Sequence, residues 1–442
     1  YVLINPFLNL VKYEKIMLRI LVINEVSPQI KNRTSIIFKK IVPILSKKNK
    51  IEIFWLSYDY KKNQKTTESW YKLLHVHEFK NAKDVIEKIK PSLIYVMPGL
   101  STIDYAFLLT ARFFKIPTFG WVDGIPIFAQ RETNRKRQLR EYYRQFFERR
   151  ELDNYNSEFR GVSYFKKNLF FIRTMKAIGN SYKQIISELI ENFRLSINWK
   201  FKEEQKNTRF NCDLLLVENE PTIDFACNFG LSKKNMKLMG DPTYDLAFEE
   251  RSKKSFGEKN GKLNVLFITV NFTSGQGKTE WSVSKQNHMI KELVTEYEKI
   301  KDKISLKIKI HPISESYTAY KKILDAYKTD IQIFQYEDVF ELIKEADVVL
   351  TSATSTAGLI ALIMKKPIII WNYFNVQGDL FIKEKIAINC DEASQIKDCL
   401  YNKKGFAQEN ELIINEFITK FCGMGNASQK IADAVNDLAS KN

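Results

Sequence analysis

Three short stretches of this 442-residue chain combine residue types that could hold and move charge. Ile310-His311-Pro312 ends the apolar run 305–310 (SLKIKI). The histidine therefore stands at the carboxyl end of a predicted strand, where ligands of open α/β sheets bind. An imidazole there can donate a hydrogen bond to a phosphate oxygen, or it can simply end the strand before a proline-driven turn. Residues 351–358 (TSATSTAG) join a predicted strand, 348–351, to a predicted helix, 358–364. Ser352, Thr354, Ser355 and Thr356 bring hydroxyls to that helix N-terminus, where the unpaired N–H groups and the helix dipole favour an anion. An ordinary N-cap by Ser355 or Thr356 needs only one of them. In the third stretch, 121–124 (WVDG), Asp123 follows a predicted strand. A carboxylate in that place can serve as a general base at a cleft, or close an Asx-turn.

A fourth stretch, 271–278 (NFTSGQGK), contains Gly275 and matches neither the Walker A nor the dinucleotide-binding fingerprint. It could flank a phosphate or be a plain connection. The chain has no HExxH, GxSxG or EF-hand loop, and no DxD at a strand end. No metal is expected. His75 and His77 lie in a polar stretch and read as solvated residues.

The elements that must position these groups alternate between strand and helix in two blocks, which predicts α/β architecture with parallel sheets. In the first block the strands are 18–24, 51–56, 93–97 and 118–122, with helices over 35–47, 82–89 and 104–114. The second block has strands 264–269, 305–310, 348–351 and 367–371, and helices over 288–301, 339–346, 358–364 and 428–438. Between the blocks, 131–210 does not alternate; it carries nineteen Lys or Arg against ten Asp or Glu, with aromatics interleaved. Residues 211–219 then read as a strand, and 236–245 as a strand and turn that close the first domain. The expected units are 17–250, with 131–210 as a helical insert, and 251–442.

Composition agrees with a folded chain: 44% of residues are hydrophobic, and there are only 16 Gly and 11 Pro. The 69 Lys and Arg exceed the 52 Asp and Glu by 17, a charge that attracts nucleic acid, anionic lipid or phosphorylated substrates alike. Five scattered cysteines without a CxxC pair argue against a disulfide framework or a structural zinc site. No apolar run approaches the roughly 20 residues that span a bilayer. Residues 1–16 read as an amphipathic leader or an upstream extension ahead of Met17, and a cytoplasmic location is expected.

Read in order, several segments resemble the GT-B fold: two Rossmann-like domains facing a cleft, with nucleotide on the C-terminal one. The resemblance is to the branch of UDP-N-acetylglucosamine 2-epimerase, CDP-glycerol glycerophosphotransferases and bacterial surface-polysaccharide transferases. It is carried by 111–124 (ARFFKIPTFGWVDG), 239–245 (MGDPTYD), 346–370 and 422–435 (CGMGNASQKIADAV). Bacterial GT-B sialyltransferases carry an acid–acid–Gly motif, a His-Pro motif and a serine pair, and Asp123-Gly124, His311-Pro312 and Ser352/Ser355 match these in order. The first acidic position is Val122 here. The epimerase motifs match less well: its start is replaced by Asn24-Glu25-Val26-Ser27-Pro28, its serine-glycine loop by 352–360, and its His-Arg pair is absent from 269–273.

The resemblance implies an inverting, metal-independent glycosyltransferase using a CMP-, CDP- or UDP-linked sugar, with a glycan or lipid-linked saccharide as acceptor. Asp123 would be the base and His311 the group on the departing phosphate. Ser352, Thr354, Ser355, Thr356, Pro312 and Gly275 would bind the donor, with Glu337 and Asp338 of 335–338 beside the nucleotide base. The alternatives are an epimerase-like enzyme, a polyol-phosphate transferase and a non-enzymatic anion-binding module. Basic and aromatic residues over 131–210 suit an anionic membrane surface, and equally an acceptor wall or a contact in a homodimer. A nucleic-acid partner is not expected, since no recognised motif accompanies the charge.

Overall fold

The computed structural model describes residues 17–29, 33–60, 69–98, 101–122, 160–161, 164–198, 208–228, 230–253, 261–270, 281–311, 315–376 and 378–441. The first half runs β1 (Met17–Asn24), α1 (Arg33–Lys48), β2 (Lys50–Ser57), β3 (Asp59–Tyr60), β4 (Lys72–His75), α2 (Ala82–Ile89), β5 (Leu93–Tyr95), α3 (Thr102–Phe114), β6 (Thr118–Val122), β7 (Arg160–Gly161), α4 (Tyr164–Ala177), α5 (Tyr182–Asn198), β8 (Leu214–Val217), α6 (Glu220–Asn228), β9 (Met236–Leu238) and α7 (Asp245–Ser252). The second half runs β10 (Leu263–Ile268), α8 (Val283–Glu298), β11 (Ile304–Lys309), α9 (Tyr317–Tyr327), β12 (Gln332–Phe334), α10 (Val339–Glu345), β13 (Val348–Thr351), α11 (Thr356–Ile363), β14 (Ile368–Trp371), α12 (Leu380–Lys383), β15 (Ile388–Cys390), α13 (Ile396–Glu409), α14 (Glu411–Cys422) and α15 (Ala427–Ala439).

Two parallel sheets result, ordered β4-β2-β1-β5-β6-β8-β9 and β12-β11-β10-β13-β14-β15. Strands covered on both faces need apolar residues at successive positions rather than at alternate ones. That is what ILVIN in β1, VLFI in β10 and IIIW in β14 supply, and nearly all of these side chains are buried. Each sheet has one cluster of core residues on either face. The helices between strands are fixed at their ends by local chemistry. Asn81 accepts from Asp84 N to cap α2, and Ser101 accepts from Ile103 N to cap α3. Lys90 and Lys115 close the same helices in the left-handed region, at φ 52° and 56°.

Both sheets change winding direction once. In the first, the chain moves outward from β1 through β2 to one edge and from β5 through β6 to the other. In the second, the reversal falls between β10 and β13. The crevice outside the strand ends at such a point is where ligands of doubly wound sheets bind.

Two packing features link the expected units. Within 131–210, α4 stacks on α3 and α2, and α5 packs against α4. Phe170, Phe171 and Met175 of α4 are buried with the first sheet's core, so part of the insert's aromatic content holds the domain together. The second feature is α15, expected in the unit 251–442. Its Ile431, Ala432, Ala434 and Val435 pack into the first domain's core, beside Leu18, Phe38 and Trp55.

Candidate functional site

The reversal in the second sheet puts the exits of β10 and β13 next to each other, with the exit of β11 on the far side of β10. Thr269 follows β10, His311 follows β11 and Ser352 follows β13. The sequence-derived candidates His311 and Ser352 are thus brought to one edge, at the place where topology opens a crevice.

Ser352 is 1% exposed, and its hydroxyl has no partner among the described residues. A buried hydroxyl left in that state costs free energy unless a ligand or water completes it. The residues after it have different duties. Thr354 donates its hydroxyl to Asp379 Oδ1 at 2.8 Å, accepts from Phe381 N at 3.2 Å, and its own N–H binds Asp379 Oδ2 at 2.6 Å. Thr354 therefore braces the loop from behind, with both its hydroxyl and its N–H engaged by Asp379. Ser355 accepts from Gly358 N at 3.1 Å and is the N-cap of α11. That leaves the N–H groups of Thr356 and Ala357 as the orphan donors of the first turn. Thr356 is exposed. Gly358 is required here because a Cβ would stand 2.6 Å from Phe381 Cε2.

His311 is half-buried. Burial, and then the positive charge of Lys309, lower its pKa below the ordinary histidine value. The imidazole is therefore neutral at neutral pH and offers one N–H donor. Lys309 is itself buried, with Nζ donating to Ile310 O at 3.1 Å and Gln335 O at 2.7 Å. This lysine was missed because it reads as the polar position of an alternating strand, SLKIKI.

Beneath His311 lies a second residue that sequence reading did not single out. Glu315 Oε2 accepts from His311 N at 2.6 Å and from the Thr269 hydroxyl. Its Oε1 accepts from Tyr320 OH at 3.1 Å and from Gln286 Nε2. Enclosure raises its pKa, and the four donors work against that rise. Only the spacing of four residues from His311 to Glu315 could have signalled it.

At the exit of β12, Asp338 caps α10 by accepting from Phe340 N at 2.9 Å, and Glu337 accepts from Tyr336 N at 3.0 Å. Both are exposed. Their loop is tied to the site through Gln335, whose Nε2 donates to Glu315 O at 3.1 Å. Asp123, Pro312 and Gly275 lie outside the described residues. The strand that leads to Asp123 ends at Val122, paired with Val217 of β8. Just beyond β8, the buried Glu218 pairs with Arg33 at 2.7 Å, and Arg33 also pairs with the buried Asp241. Among the described residues, no group of three or more His, Cys, Asp or Glu side chains could hold a metal ion.

A family model described as capsule polysaccharide biosynthesis protein matches residues 278–389, the segment that contains His311, Glu315 and the 352–356 loop. No curated protein matches the chain by sequence. Among solved structures, the chain is similar to the UDP-GlcNAc 2-epimerase from Neisseria meningitidis bound to UDP-GlcNAc. The TM-score is 0.52 at 13% identity, over 97% of this chain and 100% of that one. A protein from Listeria monocytogenes proposed to be a UDP-N-acetylglucosamine 2-epimerase gives 0.50 at 11% identity, over 97% of this chain and 98% of that one. At such identities the likeness is one of fold, and the fold is GT-B: two doubly wound domains joined across a cleft.

Proposed function

We propose that this chain is an inverting, metal-independent GT-B glycosyltransferase that moves a sugar from a nucleotide-sugar donor to a cell-surface glycan or polysaccharide. The observation that carries the reading is that His311, the unpartnered Ser352 hydroxyl and the N-terminus of α11 all follow strand exits at the same end of the second sheet, beside its reversal. The match to a capsule polysaccharide family over this same segment supports a polysaccharide product.

In this mechanism Asp123 takes the proton of an acceptor hydroxyl as its oxygen attacks the anomeric carbon. The bond from that carbon to the phosphate oxygen breaks, and the electron pair leaves with the nucleotide. His311 donates its N–H to the departing phosphate. Ser352 and the first turn of α11 hold the other oxygens, donors fixed before charge develops and so costing no reorganisation. His311→Ala should lower turnover at least about tenfold, and unchanged turnover would remove His311 from the mechanism.

The epimerase-like reading stands second, because a fold neighbour binds UDP-GlcNAc. Thermal shift against UDP, CMP, CDP and their sugar conjugates, with and without EDTA, separates these readings. Stabilisation by one nucleotide, unaffected by EDTA, supports the transferase and names its donor class; CDP favours polyol-phosphate transfer. UDP-GlcNAc turned over to its 2-epimer overturns the transferase, and no shift from any nucleotide favours a binding module.

For the acceptor side, the reading includes an anionic membrane surface. α5 exposes Tyr182, Ile186 and Ile190, spaced four residues apart on one face. Lys176 Nζ lies 5.7 Å from the Tyr182 ring centre, and Arg173 and Lys183 are exposed nearby in sequence. Basic side chains around apolar ones suit a headgroup layer. Flotation with vesicles containing phosphatidylglycerol should carry the protein at low salt, and Ile186→Glu should abolish it; a wild-type protein that stays behind rules the surface out. Among the described residues no helix is long and apolar enough to cross a membrane.

A further inference from the structure

We infer that Glu315 is the positioning residue of this site, gathering the exits of β10 and β11 and two helices around one carboxylate so that the His311 main chain is held in a single orientation. The inference rests on the proposed role of His311 at a phosphate.

The four partners of the carboxylate are all donors, and they come from four places: Thr269 after β10, His311 after β11, Gln286 on α8 and Tyr320 on α9. A fifth element joins through the Glu315 carbonyl, which accepts from Gln335 beyond β12. Two of these partners, the His311 and Gln286 N–H groups, can only donate, and each is taken by a different oxygen of the carboxylate, Oε2 and Oε1. The His311 N–H is also 2.9 Å from Thr269 Oγ1, so the histidine main chain is clamped between the two side chains. Because that amide is spent on Glu315, the N–H that His311 can offer a ligand is that of its ring. The chain thus uses a buried carboxyl group, next to the proposed phosphate site, to fix the loop rather than to bind. Gln286 is itself held by Trp281 Nε1, which donates to its Oε1 at 2.7 Å, so the clamp extends back to the start of α8.

The test uses the full chain labelled with 15N-histidine, which gives only four histidine main-chain amides to assign. Glu315→Gln should move the His311 amide proton upfield and weaken binding of UDP and of inorganic pyrophosphate about tenfold. Glu315→Asp should restore part of both. An unmoved amide overturns the inference, and so does a moved amide with wild-type affinity, which would make the bond structural only. If the wild type binds none of UDP, CMP, CDP and pyrophosphate, the transferase reading fails, while the amide comparison still decides whether Glu315 holds His311. Should Glu315→Gln not fold, Thr269→Val and Tyr320→Phe remove one donor each. They should shift the same amide in the same direction, by less; no shift in either overturns the clamp.

Discussion

Asp104 shows how burial alone can retune a carboxylate. It is the third residue of α3 and 2% exposed, and its pKa is pushed up to about 7. Loss of hydration is the main cause; bonds from Met97 N, Tyr58 OH and Ser101, and the charge of Lys167, pull the other way without winning. The Tyr58 hydroxyl donates to Oδ2 at 3.2 Å, and Lys167 reaches over the Tyr58 ring to pair with Glu25 at 3.5 Å. The unfolded chain releases this proton near 3.8, whereas the folded chain keeps it to about 7. Between those values the folded state binds more protons, so stability falls as pH rises through the window and levels off above it. Asp104→Asn, which copies the neutral acid in shape, should flatten this slope and be more stable than wild type at pH 8, by on the order of 2 kcal/mol. Urea unfolding at pH 4, 6 and 8 checks it, and parallel curves for the two proteins would show that Asp104 is ionised at neutral pH.

At the scale of elements, the first turn of α11 depends on a brace that begins 25 residues downstream. Asp379 receives Thr354 N–H and hydroxyl and caps α12, whose Phe381 lies against Gly358. Gly358→Ala would drive a methyl into that buried ring, and overpacking of this kind costs about 1–3 kcal/mol. The urea midpoint should fall, and any nucleotide that stabilises the wild type should stabilise the variant less. An unchanged midpoint would mean that the α11–α12 contact yields freely. The contrast explains what was legible in the sequence. His311 and Ser352 could be found because each ends an apolar run that reads as a strand. Asp379 and Glu315 could not, since their partners come from other elements and only folding brings them together. The same applies to short edge strands: β12 (QIF) and β15 (INC) are three residues each, too brief for any period to show. Helix α13 has few apolar positions among its lysines and asparagine, whereas α14 carries Ile414, Phe417, Ile418, Phe421 and Cys422 at helical spacing and was legible in principle.

At the scale of the whole molecule, the end of the chain belongs to its beginning. The two motifs noted as family-like, 239–245 and 422–435, meet directly: Asp245 accepts from Ala427 N at 2.8 Å and Ser428 N at 2.9 Å, holding the N-terminus of α15. From there α15 runs along α1, where Asn49 Nδ2 donates to Asn436 Oδ1 at 2.7 Å. Asn219, just past β8, donates to Phe421 O at 3.0 Å and adds a buried tie on the same side. The chain therefore passes between the two domains twice, outward near 245 and returning near 425. Ile431 is fully buried against the first sheet's core, so Ile431→Ala should cost about 2–5 kcal/mol there, although the residue follows the whole second domain in sequence. Hydrogen exchange locates the damage: protection should fall across β1, α1 and β2 and within α15, while β10, β13 and β14 keep theirs. Loss confined to β10–β14 would mean that α15 is an element of the second domain after all. The pattern predicted here instead has α15 stabilising the first domain, so that disturbing this helix loosens the first sheet and leaves the second intact.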